Sequence, residues 1–296
     1  MVSIHDEPTQ MLQPISGYEE EPVLSLEHVC KSLEDILDEE LKQNIVIAKA
    51  NSAEPEDGLT QDESASIRLY TMKWKKTENS LYAVLNRTLC MANRRKLQPW
   101  FKYLKLFLTA FFKLPPTEYQ TMWRGVPEDL STIYPTGKEF TWWGISSCTS
   151  SISVLESSKY VGTSGARTMF SIETNSGKLI RSHSDFQEED EILLPPGIYL
   201  KVIDTFSSVN GLHVIHLREI SPPYKMLADP FDLNQWQQAL PQSKPSSHTT
   251  SSRKKEEKYS TTSVTLKPSV QVSSIKGKLI CFVKDEKVST KKNICL

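Results

Sequence analysis

The sequence predicts an α+β fold in which helices come first and strands follow. Three observations carry that expectation. Apolar residues recur at helical spacing up to residue 114, short β-type runs occupy residues 119–220, and the two patterns do not alternate as a doubly wound sheet requires. At 296 residues the chain is long enough for a sizeable core, in one domain or two small ones.

Residues 1–22 are polar and acidic with scattered prolines, and read as a disordered lead-in. From residue 24 to about 49, the residues Leu26, Val29, Leu33, Ile36, Leu37 and Leu41 have helical spacing. Pro55-Glu56-Asp57-Gly58 breaks that run. Asp62 or Ser64 is placed to cap a second helix carrying Ile67, Leu69, Tyr70 and Met72. Asn79 or Ser80 is placed to cap a third, through Leu81, Tyr82, Leu85, Leu89 and Met91. A fourth begins with Pro99 in its first turn and runs to Leu114, and its aromatic residues Trp100, Phe101, Tyr103, Phe107, Phe111 and Phe112 read as core. Asn86-Arg87-Thr88 matches a glycosylation sequon, which carries no meaning inside an intracellular helix.

Pro115-Pro116 ends the helical part, and the period then changes. Strand-like runs follow at 119–124, 141–147, 168–172, 192–194, 199–206 and 212–220. The last two are joined by a turn containing Asn210-Gly211, a hairpin signal. Pro222-Pro223 closes the domain, so that residues 23–222 form one unit with its helical part to about 114 and its β core from 117. Residues 223–296 read as a low-complexity basic tail rich in Ser, Thr and Lys, interrupted by the apolar run Leu279-Ile280-Cys281-Phe282-Val283.

The net charge of −1 hides an asymmetry: residues 1–60 hold 14 acids against 3 bases, and residues 244–296 hold 12 bases against 4 acids. That split suggests polar tails on a neutral domain rather than a nucleic-acid binder. Five widely spaced cysteines form no disulfide framework and no CxxC metal pair, which favours a reducing compartment. The first residues lack the basic start and apolar run of a signal peptide, and the most apolar stretch, 106–112, is too short to span a bilayer. The expected location is the cytoplasm.

The chemistry gathers at Glu188-Glu189-Asp190-Glu191 followed by Ile192-Leu193-Leu194 and Pro195-Pro196-Gly197. The prolines stop a strand, so a strand begins near Asp190 or Glu191 with the acids at its mouth. Residues two apart on a strand share a face, so either Glu189 and Glu191 point into one space, where repulsion between them raises one pKa, or the acids form a solvated loop before the strand. Arg124 ends an apolar strand beside Gly125; a guanidinium there grips phosphate or carboxylate, or pairs with a structural acid. Trp142-Trp143-Gly144-Ile145 leads into Ser146-Ser147-Cys148-Thr149-Ser150-Ser151, whose hydroxyls orient a carboxylate or cap the turn that follows.

Arginine on a first strand, Ser-X-Ser/Thr on the next and Glu-X-Glu opening a later one form an ordered set. In this the chain resembles the arginine-specific mono-ADP-ribosyltransferases of the R-S-E class, over about residues 60–222, including Ile67-Arg68-Leu69-Tyr70-Thr71 and Leu85-Asn86. The resemblance implies that family's fold, a helical half before a mixed β core split around a cleft for NAD. It implies an enzyme that uses NAD as co-substrate, moves ADP-ribose onto arginines of an acceptor protein and releases nicotinamide, with no metal. Arg124 would hold the NAD phosphates and Gly125 would offer backbone near the nicotinamide. Ser147 would position the catalytic glutamate, with Thr149 filling the motif's last place, though the register Thr149-Ser150-Ser151 fits nearly as well. Glu191 would bind the nicotinamide ribose and stabilise the cationic transition state. Glu189 would hold and help deprotonate the acceptor guanidinium. The loop from His183 to Glu188 would be the substrate-recognition turn, with Phe186 as its exposed aromatic.

Asparagine-modifying toxins of the family carry glutamine where this chain has Glu189, which favours arginine as acceptor. Cys148 departs from the family's threonine at the centre of the hydroxyl motif. Two other readings remain, an NAD glycohydrolase and an inactive binding module. Retention of Arg124, Ser147, Glu189 and Glu191 together favours activity.

Overall fold

Helices fill the chain up to Lys113 and strands follow from Thr121, where the apolar period changes from helical to alternating. The computed structural model describes residues 8, 10–118, 121–152, 164–188 and 190–235. Contacts set the chain up to Phe231 apart from a second unit, Asp232–Gly277, of which residues 232–235 are described. The apolar run at 279–283 lies outside the described residues.

The first expected helix is two. Helix α1, Leu26–Cys30, runs into a single 3-10 turn, and α2 begins only at Glu40 and ends at Ala50. Between them lie Glu34, Asp35, Asp38 and Glu39, which would set like charges four apart on a continuous helix and disfavour it. Leu26, Val29, Leu33, Leu37, Leu41 and Ile45 are buried all the same in one helical core. Helix α3, Gln61–Thr71, starts from Thr60 rather than from Asp62 or Ser64. Thr60 Oγ1 accepts from Glu63 N–H at 3.3 Å, and Glu63 Oε2 accepts from Thr60 N–H at 2.9 Å, a reciprocal capping box. Asp62 instead accepts from Leu26 N–H at 2.9 Å, tying α3 to α1. Helix α4, Leu81–Leu89, is capped by Ser80, whose Oγ accepts from Ala83 N–H at 3.2 Å. Helix α5, Phe101–Lys113, follows a 3-10 segment containing Pro99. Tyr103, Phe107 and Phe111 repeat every fourth residue and stack down one side, with ring centroids 6.0 and 6.4 Å apart. As expected for core aromatics, they are buried, whereas Phe101 and Phe112 pack at its margin.

Among the described residues eight strands make one mixed sheet in the order β2-β7-β8-β4-β1-β3-β6-β5. They are β1 Thr121–Val126, β2 Glu139–Trp142, β3 Ser146–Thr149, β4 Arg167–Glu173, β5 Lys178–Leu179, β6 Glu191–Leu194, β7 Ile198–Ser207 and β8 Leu212–Glu219. Among the described strands, β4 and β8 alone pair in parallel. The expected run 141–147 is two strands, because Trp143 turns into the helical core and the chain passes from beside β7 to beside β6. The hairpin of β7 and β8 turns at Asn210-Gly211, where Gly211 has φ +79°. β1 and β3 meet at a single register pair, Trp123 with Thr149, so the sheet is nearly parted there.

Alternation on β3 and β6 divides two cores. Cys148, Ile192 and Leu194 face the aromatic interior of the strands, with Trp142 and Phe170. Ile145 and Leu193 face the helices.

The segment expected as a disordered lead-in is packed from Leu12 onward. Leu12, Ile15 and Tyr18 are buried, and Ile15 pairs in parallel with Leu227. Three apolar residues spaced through a polar stretch are enough to cover an exposed edge of the helical core. For the same reason the ordered chain runs past Pro222, with Met226 buried against the helices. Cys30, Cys90 and Cys148 are buried, and Cys281 and Cys295 lie outside the described residues. No helix among the described residues is long and apolar enough to cross a membrane.

Candidate active site

Strand β6 opens at Glu191, its acids at the mouth as the proline stop requires. Glu191 pairs with Thr149 across β3, so Glu191, Thr149 and Ser147 share the helix-facing side of the sheet. Ser147 Oγ donates to Glu191 Oε1 at 2.6 Å. Glu191 is 7% exposed, and burial pushes its carboxyl up to about 7 against the opposing pull of the Ser147 hydrogen bond. Desolvation is the leading cause of that rise among the described residues, and the repulsion expected between two carboxylates turns on Glu189. Glu189 lies outside the described residues.

The alternative hydroxyl register does another task. Thr149 Oγ1 accepts from Ser151 N–H at 3.2 Å and closes the turn after β3. Cys148 points the other way, into the strand core, where a small apolar side chain is what packing asks for. Burial holds its thiol protonated, pushed up to about 12.

Arg124 stands where β1 and β3 part. Its Nη1 donates to the Ser147 carbonyl at 3.3 Å, and its guanidinium lies over the Trp142 ring, 5.6 Å from the centroid. Its Nε is buried with no partner, and no carboxylate pairs with Arg124 among the described residues. The guanidinium therefore has donors left for a ligand, which a structural ion pair would have consumed. Gly125 is buried beside it on β1.

The recognition turn is fastened to the helices. His183 is fully buried; its Nε2 donates to Asp57 at 3.1 Å and its Nδ1 accepts from the Ser64 hydroxyl at 2.9 Å. Thr71 Oγ1 accepts from Asp185 N–H at 2.9 Å. Arg181 pairs with Asp190 at 2.6 Å. Phe186, expected as an exposed aromatic, is half-buried, because its N–H donates to Ser184 Oγ at 3.1 Å and folds it back.

Three supporting residues had no assigned role in the sequence reading. Asn86 grips the residue before β3, Arg68 lies under the recognition turn, and His183 locks that turn to α3. Asn86 and Arg68 sit inside buried helical runs, and a polar residue on an apolar face was the available signal. The buried Asn86 side chain is also consumed by these bonds, which disposes of the sequon.

A family model described as NAD:arginine ADP-ribosyltransferase matches residues 28–222. Comparison with curated proteins gives no match. Among solved structures, the eucaryotic mono-ADP-ribosyltransferase ART2.2 is 18% identical at a TM-score of 0.47, covering 67% of this chain and 85% of its own. The ADP-ribosyltransferase HopU1 of Pseudomonas syringae pv. Tomato DC3000 is 20% identical at 0.46, over 67% and 88%. The Vis toxin, an ADP-ribosyltransferase from Vibrio splendidus, is 16% identical at 0.45, over 73% and 97%.

Proposed function

The chain belongs to the NAD:arginine ADP-ribosyltransferase family, and from that premise we propose that it transfers ADP-ribose from NAD to arginine side chains of an acceptor protein. The carrying observation is the buried Glu191 carboxyl, fixed by Ser147 at 2.6 Å at the mouth of β6.

NAD supplies a glycosidic bond whose cleavage carries its electron pair away with nicotinamide. Arg124 has the unsatisfied donors to hold a diphosphate, and Gly125 beside it lets a ligand come close to the backbone. Glu191, when ionised, stabilises positive charge growing on the ribose; its burial makes that interaction stronger than it would be in water. Ser147 holds the Glu191 carboxyl in one orientation, so no rearrangement is needed as charge develops. Glu189, two residues upstream, clamps the acceptor guanidinium and takes its proton as the guanidine nitrogen bonds the ribose carbon. Phe186 on the recognition turn touches the protein around the target arginine. The buried free thiols of Cys30 and Cys148 support action in a reducing compartment such as the cytoplasm.

The test is incubation of the full chain with labelled NAD and agmatine or poly-arginine, scoring labelled guanidine and free nicotinamide. Label on the guanidine is the expected result. Nicotinamide release with no label on either acceptor would make the protein an NAD glycohydrolase instead, and neither product would return it to a binding module.

A further inference from the structure

We infer that Arg68 is a positioning residue: clamped beneath the recognition turn, it sets acceptor use without touching either reactant. This inference rests on the transferase reading above.

Arg68 lies on α3 between the buried Ile67 and Leu69 and is itself only 3% exposed. Its Nε donates to Ser52 Oγ at 3.1 Å, Nη2 to the Ser182 carbonyl at 3.2 Å, and Nη1 to the Ser184 carbonyl. The charge that acts on it is the Asp185 carboxylate of the same turn, which attracts it through space. Burying a cation is a costly way to fill space, and both its hydrogen-bond acceptors and its attracting carboxylate point to the segment at 182–185 as what it holds. Two of the three acceptors are backbone carbonyls at the start of the turn, Ser182 just before it and Ser184 within it.

The same helix face supplies the other anchors. Ser64, Arg68 and Thr71 follow one another at i, i+4 and i+7, and they hold His183, the carbonyls of Ser182 and Ser184, and the Asp185 N–H. The turn is thus fixed at 182–185 by α3 and at its far end by β6. Glu191 has separate support, from Ser147 on β3. Phe186 and Glu189 fall in the span between those two supports. Beside the clamp is an open cleft of about 330 Å³ whose lining includes Ser52, Ser64, Arg68, Ser182 and Gln187, which leaves a released turn room to shift. Loosening Arg68 therefore displaces the acceptor groups and leaves the NAD-cleaving carboxylate where it is.

The experiment compares wild type with Arg68→Met, Arg68→Lys and Thr71→Val. Transfer to agmatine and nicotinamide release without acceptor are measured together, with amide exchange over 182–194. In Arg68→Met, transfer at low agmatine should fall roughly ten- to hundred-fold through KM, the scale of a misplaced reacting group. Nicotinamide release should stay within about twofold, the cleaving carboxylate being unmoved. Exchange should quicken at 182–188 and stay slow at 192–194. Arg68→Lys, which can still reach one carbonyl, should recover part of the loss, and Thr71→Val should show the same split more weakly. Should Arg68→Met fail to fold, the two milder variants decide the matter. Equal loss of both activities in folded variants, or unchanged acceptor use in all of them, overturns the inference. A wild-type protein that labels no guanidine overturns the transferase reading, and this inference with it; active wild type without the split overturns this inference alone.

Discussion

Asn86 holds Ile145 by both of its backbone groups: Oδ1 accepts from the Ile145 N–H at 2.8 Å and Nδ2 donates to its carbonyl at 3.2 Å. A helix side chain thus stands in for a neighbouring strand two residues before Ser147. Asn86→Ala would leave a buried N–H and C=O unpaired, each costing roughly 1–3 kcal/mol. Urea unfolding should show a clearly lower midpoint for this variant, and an unchanged midpoint would mean that the grip adds nothing to stability.

Glu191 gives a prediction in pH. Its carboxyl titrates at about 7 in the folded chain, and only the ionised form can stabilise positive charge on the ribose. NAD cleavage should therefore rise from pH 6 to pH 8 and then level off. Glu191→Gln should lower the rate ~10²–10³-fold or more at every pH. Stability runs the opposite way: with the folded pKa above the unfolded one, the folded chain keeps a proton that the unfolded chain gives up. This group's contribution falls as pH rises from about 4.5 to about 7 and is flat above. Glu191→Gln should melt a few degrees higher than wild type at pH 8, with the gap closing towards pH 5. A rate indifferent to pH between 6 and 8 would count against Glu191 as the charged group.

Arg124→Lys keeps the charge and loses the fork. With the Ser147 carbonyl and the Trp142 ring already engaged, one ammonium cannot replace the free donors. NAD affinity should fall by ~1–3 kcal/mol in isothermal titration, and an unchanged affinity would leave Arg124 with a structural part alone.

Glu189→Gln separates the two halves of the reaction. Removing the acceptor clamp should abolish label on arginine far more than it lowers nicotinamide release, since Glu191 serves bond cleavage by itself. Phe186→Ala should weaken protein acceptors and spare agmatine. Parallel loss of both activities in Glu189→Gln would assign that carboxylate to NAD cleavage.

Truncation tests the domain limits. A chain ending near residue 240 should keep NAD cleavage. One starting at residue 23 loses the buried Leu12, Ile15 and Tyr18, and should unfold at markedly lower denaturant than the full chain. Equal stability of the two truncations would contradict the packing of that segment.

Much of this was legible because periodicity reports burial directly. The aromatic residues of α5 and the strand after Asp190 fell where the pattern put them. Thr60-Gln61-Asp62-Glu63 carried a capping-box signature that outranked the nearer Asp62. The lead-in was misread because three buried residues spread over a polar stretch show no period. The division of 141–147 depends on where Trp143 finds a core, which is a tertiary fact. At the site, residue types and spacing brought Ser147 and Glu191 together on paper. The source of the Glu191 shift could not be read that way, because desolvation depends on neighbours distant in sequence.

The seam between Ile15 and Leu227 bears on the order in which the chain can fold as it is made. Ile15 N–H donates to the Met226 carbonyl at 2.8 Å, Ala228 N–H to the Ile15 carbonyl at 3.0 Å, and Tyr224 reaches Leu12 across 212 positions of sequence. Helices α1 to α5 rest largely on local contacts and can assemble while the ribosome is still adding strands. The segment around Ile15, made before these helices, has no partner until the residues around Met226 emerge. Through most of synthesis Leu12, Ile15 and Tyr18 are therefore uncovered apolar surface on a nascent chain, the kind of surface that a chaperone holds. Residues made ahead of all five helices are among the last to find their place.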